Sequence, residues 1–260
     1  MIRPVTAAVA PCCLALVALA CRSTDSGVVT EDVVSQVPFS DAESATYELT
    51  DDDGESEGSG TLGLIRRDDG YRLVQDFADE DGNSDCWEVQ VDDALKPSEV
   101  FRHIVRIDDG EEDSVEITAT YLEETVESEF AAGGESKTEE GDLPRNYYDS
   151  LTEVFLLRTL DFVENEEFAF NAVFTARPDG RDIADDETIF EIEGQEIIEV
   201  PAGEYETWRI RIRGGFGADR TGWVSVEEPH ELVRFDFGFL VYELTDYAPE
   251  AAGEPATCTP

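Results

Sequence analysis

The sequence predicts a mainly β protein: one strongly curved antiparallel sheet, a half-barrel or open barrel, with one helix packed on its concave face. Three observations carry this expectation. From Ala45 onward, short runs rich in β-branched, aromatic and aliphatic residues, such as "ATYEL", "YRLVQDF", "WEVQV" and "SVEITATYL", are separated by Gly, Asp and Asn clusters at close intervals. Breaks such as "RDDGY" and "DDGEED" have hairpin chemistry, with Asp opening the turn and Gly tolerating positive φ. A single segment, Arg145 to Leu160, carries helical spacing instead, and a sheet of so many strands must curl to limit its edges.

In chain order, residues 1–20 combine one basic residue, Arg3, with an apolar run too short for a membrane span, and read as a secretory signal peptide. Residues 21–39 are mostly small and polar and read as a tether. Residues 40–248 form the single sheet domain, interrupted by the helix expected over 146–160, where Tyr147, Leu151, Val154 and Phe155 recur at spacings of three and four behind Asn146 as N-cap. Two stretches echo one another, Trp87 with a following "SEVFRH" and Trp223 with "HELVRF", a hint of duplication. Residues 249–260 are a loop-like tail.

The stretch "ALAC", Ala18 to Cys21, resembles the lipobox of bacterial lipoproteins, with Ala18 and Leu19 in the reverse of the usual order. The resemblance implies a diacylglycerol-modified Cys21 and an extracytoplasmic protein held at an envelope membrane by that lipid. The competing reading is ordinary cleavage after Ala20, leaving Cys21 unmodified. Removal of the signal peptide takes Cys12 and Cys13 with it and leaves Cys21, Cys86 and Cys258, an odd number. With Cys21 acylated, Cys86 and Cys258 remain as a disulfide pair in an oxidising compartment.

Composition limits the partners. The chain carries 62 acidic against 18 basic residues, a net charge of −44, which excludes nucleic acid and repels anionic head groups apart from a covalent anchor. It is nevertheless 41% hydrophobic and 10% aromatic, enough to bury a core. Lys96 and Lys137 are its only lysines, and acidic excess with lysine depletion reads equally as adaptation to salt or as genome composition. No catalytic motif and no cofactor or metal signature stands out. The two histidines, His103 and His230, lack a nucleophile elbow, and "DEDGNSD" and "TDDDGESE" miss the spacing of a calcium loop and read as acidic turns. The protein is expected not to be an enzyme, and no protein partner is legible.

The hairpin "IIEVPAGEYETWRIRI", 197–212, is the most informative stretch. Pro201 ends one strand because it offers no N–H to the ladder, and Gly203 frees the turn. Trp208, Ile210 and Ile212 then share one face, an apolar face open to a ligand, while Arg209, Arg211 and Arg213 share the other within reach of Glu191, Glu193, Glu196 and Glu199. "VPAGEYETWRIRI" resembles the Val-Pro-Ala-Gly-x-aromatic motif of an exported bacterial family of unknown function, and "GWVSVEEPHELVRFDFGFLVYELTDY" and "VQVDDALKPSEVFRHI" follow its motif order. The resemblance implies a curved-sheet architecture like that of periplasmic lipoprotein carriers of the LolA type. Two functions follow as expectations: a lipoprotein that binds or carries an apolar ligand such as a lipid, or a structural or interaction module with a packed interior.

Overall fold

The computed structural model describes residues 28–29, 33–51, 53–108, 110–215, 219–250 and 257–258. Its strands are β1 (Val28–Val29), β2 (Ala42–Thr50), β3 (Ser56–Arg67), β4 (Gly70–Ala78), β5 (Ser84–Val91), β6 (Pro97–Asp108), β7 (Glu111–Tyr121), β8 (Thr125–Ala132), β9 (Glu135–Asp142), β10 (Tyr147–Asp149), β11 (Glu167–Phe174), β12 (Ala184–Val200), β13 (Gly203–Gly214), β14 (Arg220–Ser225), β15 (Leu232–Asp236) and β16 (Val241–Ala248). They form one sheet in the order β1-β11-β12-β13-β14-β15-β16-β2-β3-β4-β5-β6-β7-β8-β9, with β10 also paired to β11. Successive long strands pair antiparallel, as hairpin-length connections require. β16 pairs with β2, so the last strand lies beside the first long one.

The sheet curls but does not close, because among the described residues no ladder joins β9 to β11. Irregular register at Ile192/Gly194, Trp223/Val224 and Leu244/Asp246 bends the strands. Alternation supplies the core: in β2 the inward residues are Glu43, Ala45, Tyr47 and Leu49, and in β7 they are Val115, Ile117, Ala119 and Tyr121. The same buried cluster includes Leu64, Leu73, Trp87, Phe168, Phe170, Phe190, Ile210, Ile212, Phe235 and Leu244.

The expected helix is shorter than its spacing suggested. Tyr147–Asp149 is strand β10, parallel to β11, and Asn146, proposed as the N-cap, has φ +48° and donates its side-chain amide to the Ala169 carbonyl. The open edge of β11 offers unpaired backbone groups, and satisfying them outweighs helix propensity there. Asp149 is the actual cap, accepting from the Leu151 N–H, and the helical segment comprises a 3-10 turn at Ser150–Thr152, helix α1 (Glu153–Leu156) and a second 3-10 turn at Leu157–Thr159. This segment, 150–159, plugs the hollow. Phe155 meets Trp87 edge-on, ring centroids 6.2 Å apart, and Leu157 reaches β14 so closely that a Cβ on Gly222 would stand 2.6 Å from its Cδ1.

The segment ahead of β2 also differs from expectation. Residues 33–39, read as tether, join the core: Val33 is fully buried, the Ser35 and Gln36 N–H groups donate to the Thr159 carbonyl, and Phe39 packs against Phe155 and Tyr71. Val33, Val34 and Val37, which look scattered in the sequence, thus pack into the core beside the C-terminal end of the plug. The signal peptide and Cys21 lie outside the described residues. Cys86 and Cys258 are bonded, with Cα atoms 5.4 Å apart, and the Cys258 N–H donates to Glu88, which pins the tail to β5.

The bond spans a sequence separation of 172 residues. Chain entropy assigns a loop of that length roughly 3–5 kcal/mol. Cys258→Ser is expected to lower the unfolding free energy by about that amount, read from urea denaturation. Titration of the unreduced, denatured protein should find neither Cys86 nor Cys258 free; reactive thiol at both would exclude the bond.

Candidate functional site

Polar and charged residues on the plug and on its cap, Asp149, reach three sectors of the sheet. Asp149, wholly buried, accepts from the Leu151 N–H (2.9 Å), the Tyr121 hydroxyl on β7 (2.7 Å) and the Thr175 hydroxyl (2.7 Å). Glu153 pairs with Arg220 of β14 at 2.8 Å, and Arg220 also donates to the Gly214 carbonyl. Arg158 pairs with Glu43 of β2 at 2.7 Å, donates to the His230 and Pro229 carbonyls at 2.9 and 3.0 Å, and lies over the Phe39 ring. Glu43 accepts from the Ser40 N–H through its other oxygen, so both of its oxygens are engaged.

Burial dominates the electrostatics. It pushes the carboxyls of Asp149, Glu153 and Glu231 above the usual carboxylate range, opposed at Asp149 by its hydrogen bonds and at Glu153 by the Arg220 guanidinium. Burial likewise raises the Tyr121 hydroxyl, with the Asp149 charge adding to the effect. Glu43, Tyr47, Arg158, Glu231 and Tyr247 line a cavity of about 10 Å3, room for about one water. The groups form a holding network: each plug charge faces a counter-charge or a set of donors.

These residues were not singled out in the sequence, yet a signal existed. Glu43 has the inward parity of Ala45, Tyr47 and Leu49, and Glu153 and Arg158 interrupt the apolar run "VFLL" on both sides. Charges at core positions indicate buried partners.

The face read as ligand-binding is covered. Ile210 and Ile212 are fully buried, and Trp208 is half-buried under Phe162, stacked at 5.7 Å. The arginine stripe is held by ion pairs: Arg209 with Glu193 (3.2 Å) and Glu196 (3.7 Å), Arg211 with Asp219 (2.5 Å), and Arg213 with Glu167 and Glu191. The turn of the hairpin folds back onto the sheet through the Ala202 N–H and the Leu244 carbonyl, with Gly203 at φ +138°, so the motif caps one end of the barrel. Asp51 and Asp79 accept from backbone N–H groups of their own turns. His230 is buried with Nδ1 3.0 Å from the Ser225 carbonyl. The echo of the two halves does not hold: Trp87 faces inward onto Phe155, whereas Trp223 lies on the outer face between Arg209 and Arg234.

Two outcomes are expected. Arg158→Met leaves Glu43 buried without its cation and should cost roughly 3–5 kcal/mol, with part recovered in the Arg158→Met/Glu43→Gln double variant; a double-variant loss equal to the sum of the losses of Arg158→Met and Glu43→Gln alone would exclude a coupled pair. The raised carboxyls hold their protons more tightly in the folded state, so their contribution is complete below about pH 4 and is lost as pH rises through the raised values. Urea midpoints should therefore fall from mildly acidic to neutral pH, and Asp149→Asn should flatten that fall; an unchanged slope would remove Asp149 from the account.

Comparison with other proteins agrees with this architecture. No curated protein matches the chain. A crystal structure of a β-barrel-like protein of domain of unknown function DUF1849 from Brucella abortus aligns with a TM-score of 0.51 at 12% identity, covering 82% of this chain and 98% of that one. A Bacteroides fragilis protein with a YmcC-like fold aligns over 83% and 99% at 10% identity with a TM-score of 0.33, too low to bear on the argument. The likeness to the first shows the fold alone. Residues 64–245, from β3 through β16 and including the plug and the hairpin, match the family described as protein of unknown function DUF3108, and the chain belongs to that family.

Proposed function

We propose that the protein is an extracytoplasmic lipoprotein, acylated at Cys21, whose barrel is a non-catalytic structural or docking module and not a lipid carrier. The observation that carries this reading is the filled hollow. Plug residues Val154 to Leu157 are buried among Tyr47, Leu64, Trp87 and Phe235, and the cavity beside the plug, lined by Tyr47, Leu64, Val154 and Phe155, holds about 10 Å3, far below the volume of an acyl chain.

The strand directions give the module two ends. Residues 33–39, the Thr159 carbonyl, Glu43 and the start of β15 lie at one; the turn 237–240 lies at the other, across the length of β15 and β16. An anchor at Cys21 is seven residues from Val28 of β1, a reach of at most about 25 Å, and β1 leads into residues 33–39, so the anchor would hold the first end toward the membrane. The far end then presents Phe239, 71% exposed and in contact with the Phe237 ring, as an aromatic knob among acidic turns. Among the described residues no helix is long and apolar enough to cross a membrane, which leaves attachment to the lipid in this reading.

Native mass spectrometry of the protein purified from its source membranes tests the proposal. The expected species begins at an acylated Cys21 and carries no co-purifying lipid, and Cys21→Ser should move the protein to the soluble fraction. A stoichiometric bound lipid would restore the carrier reading, and an unmodified N-terminal cysteine would remove the anchor.

A further inference from the structure

The gap between β9 and β11 is bridged by the loop Thr175–Ile183 and not by a backbone ladder. The loop has two parts. Its root is held from within: the Thr175 hydroxyl donates to Asp149, the Thr175 carbonyl accepts from Ser128, and the Ala176 carbonyl accepts from Arg102. Its tip is held from outside. Lys137, the one cation of β9, reaches Asp182 at 2.9 Å and the Gly180 carbonyl at 3.4 Å, and is shared with Glu139. Asp179 pairs with Arg177 and Arg181 within the loop itself. Asp182 is 83% and Lys137 48% exposed at the side chain, so the bridge between the two edges stands in solvent. Beneath it Phe130 packs on Gly180 and Ile183 on Gly141, over a cavity of about 10 Å3.

We propose that this loop is a latch: the barrel opens laterally at the β9–β11 seam, the opening is released by salt, and it uncovers the apolar side chains of Ile117, Phe130 and Ile183. The physical ground is a difference of sign. Over most of the surface the net charge of −44 makes like-charge repulsion the dominant exposed electrostatic effect, and screening it stabilises the sheet. At the seam the exposed contact across the gap, at the loop tip, is an attraction between an exposed lysine and an exposed aspartate, and the same screening weakens it. With no ladder behind it, the seam is the low-stability unit of the fold.

Hydrogen–deuterium exchange of the full oxidised protein at 0.1 and 1 M NaCl tests this. Peptides covering 135–142 and 175–183 are expected to exchange about two- to fivefold faster at high salt, the range an exposed ion pair supports, while those covering β3–β5 slow down or stay unchanged. Lys137→Gln should give the faster exchange already at low salt and lose the salt response. A Cβ on Gly141 would stand 3.4 Å from the Ile183 Cβ, close to disulfide spacing, so Gly141→Cys/Ile183→Cys should oxidise and abolish the opening. Seam peptides that match β3–β5 in protection and in salt response, with Lys137→Gln unchanged, would overturn the proposal. Should the double cysteine variant not fold, the Lys137→Gln comparison decides.

Discussion

The ion pair between Arg158 and Glu43 is the contact on which the arrangement turns. Both side chains are almost wholly withdrawn from water, and neither charge is tolerable there alone. Because Glu43 sits near the start of β2 and Arg158 near the end of the plug, the pair fixes the helical segment in depth and in rotation relative to the sheet. Glu153 with Arg220 and Asp149 with Tyr121 and Thr175 do the same toward β14 and β7. Hydrophobic packing alone would accept several placements of so apolar a segment; buried charges accept only the one in which each meets its partner.

An unclosed sheet has two edges to protect, and this one protects them differently. At β11 the chain's own short segments β1 and β10 pair with the free groups in parallel. At β9 the strand "ESKTEEGD" carries mostly charged side chains, which discourage addition of a further strand. What remains between them is closed by side-chain packing and by side chains donating to carbonyls of the 175–183 loop, with no ladder among the described residues. The acidic excess of the molecule and the lone lysine at this place are therefore parts of one electrostatic arrangement, in which ionic strength acts on the sheet and on its seam in opposite directions.

The Val-Pro-Ala-Gly hairpin shows how a motif with a strong local signature can serve architecture. Its proline and glycine make a turn that docks on β16 through Ala202, its apolar residues enter the core, and its arginines are neutralised across the strands. A face that alternation marks as apolar becomes a ligand surface only if nothing covers it. Here Phe162 lies on Trp208 and the plug fills the hollow that Ile210 and Ile212 face.

Period-two alternation and turn chemistry are local properties, and they determined the β class, the antiparallel hairpins and the curved sheet without reference to any distant contact, whereas cysteine count led to the Cys86–Cys258 pairing only once the lipobox resemblance set Cys21 aside. The helical segment shows where that legibility ends. Its spacing marked an apolar stripe correctly, but Tyr147–Asp149 became strand because an unpaired edge of β11, distant in the chain's local pattern, offered hydrogen bonds that propensity could not foresee. The same holds for the plug's charges: that Glu43, Glu153 and Arg158 are buried was legible from parity and run composition, whereas which charge meets which depends on strand register and the depth of the plug. Whether the hollow stays open was likewise undetermined by sequence, since it follows from how side-chain volumes from many strands sum in space. Only the tertiary structure brings those volumes together, and it fills the space.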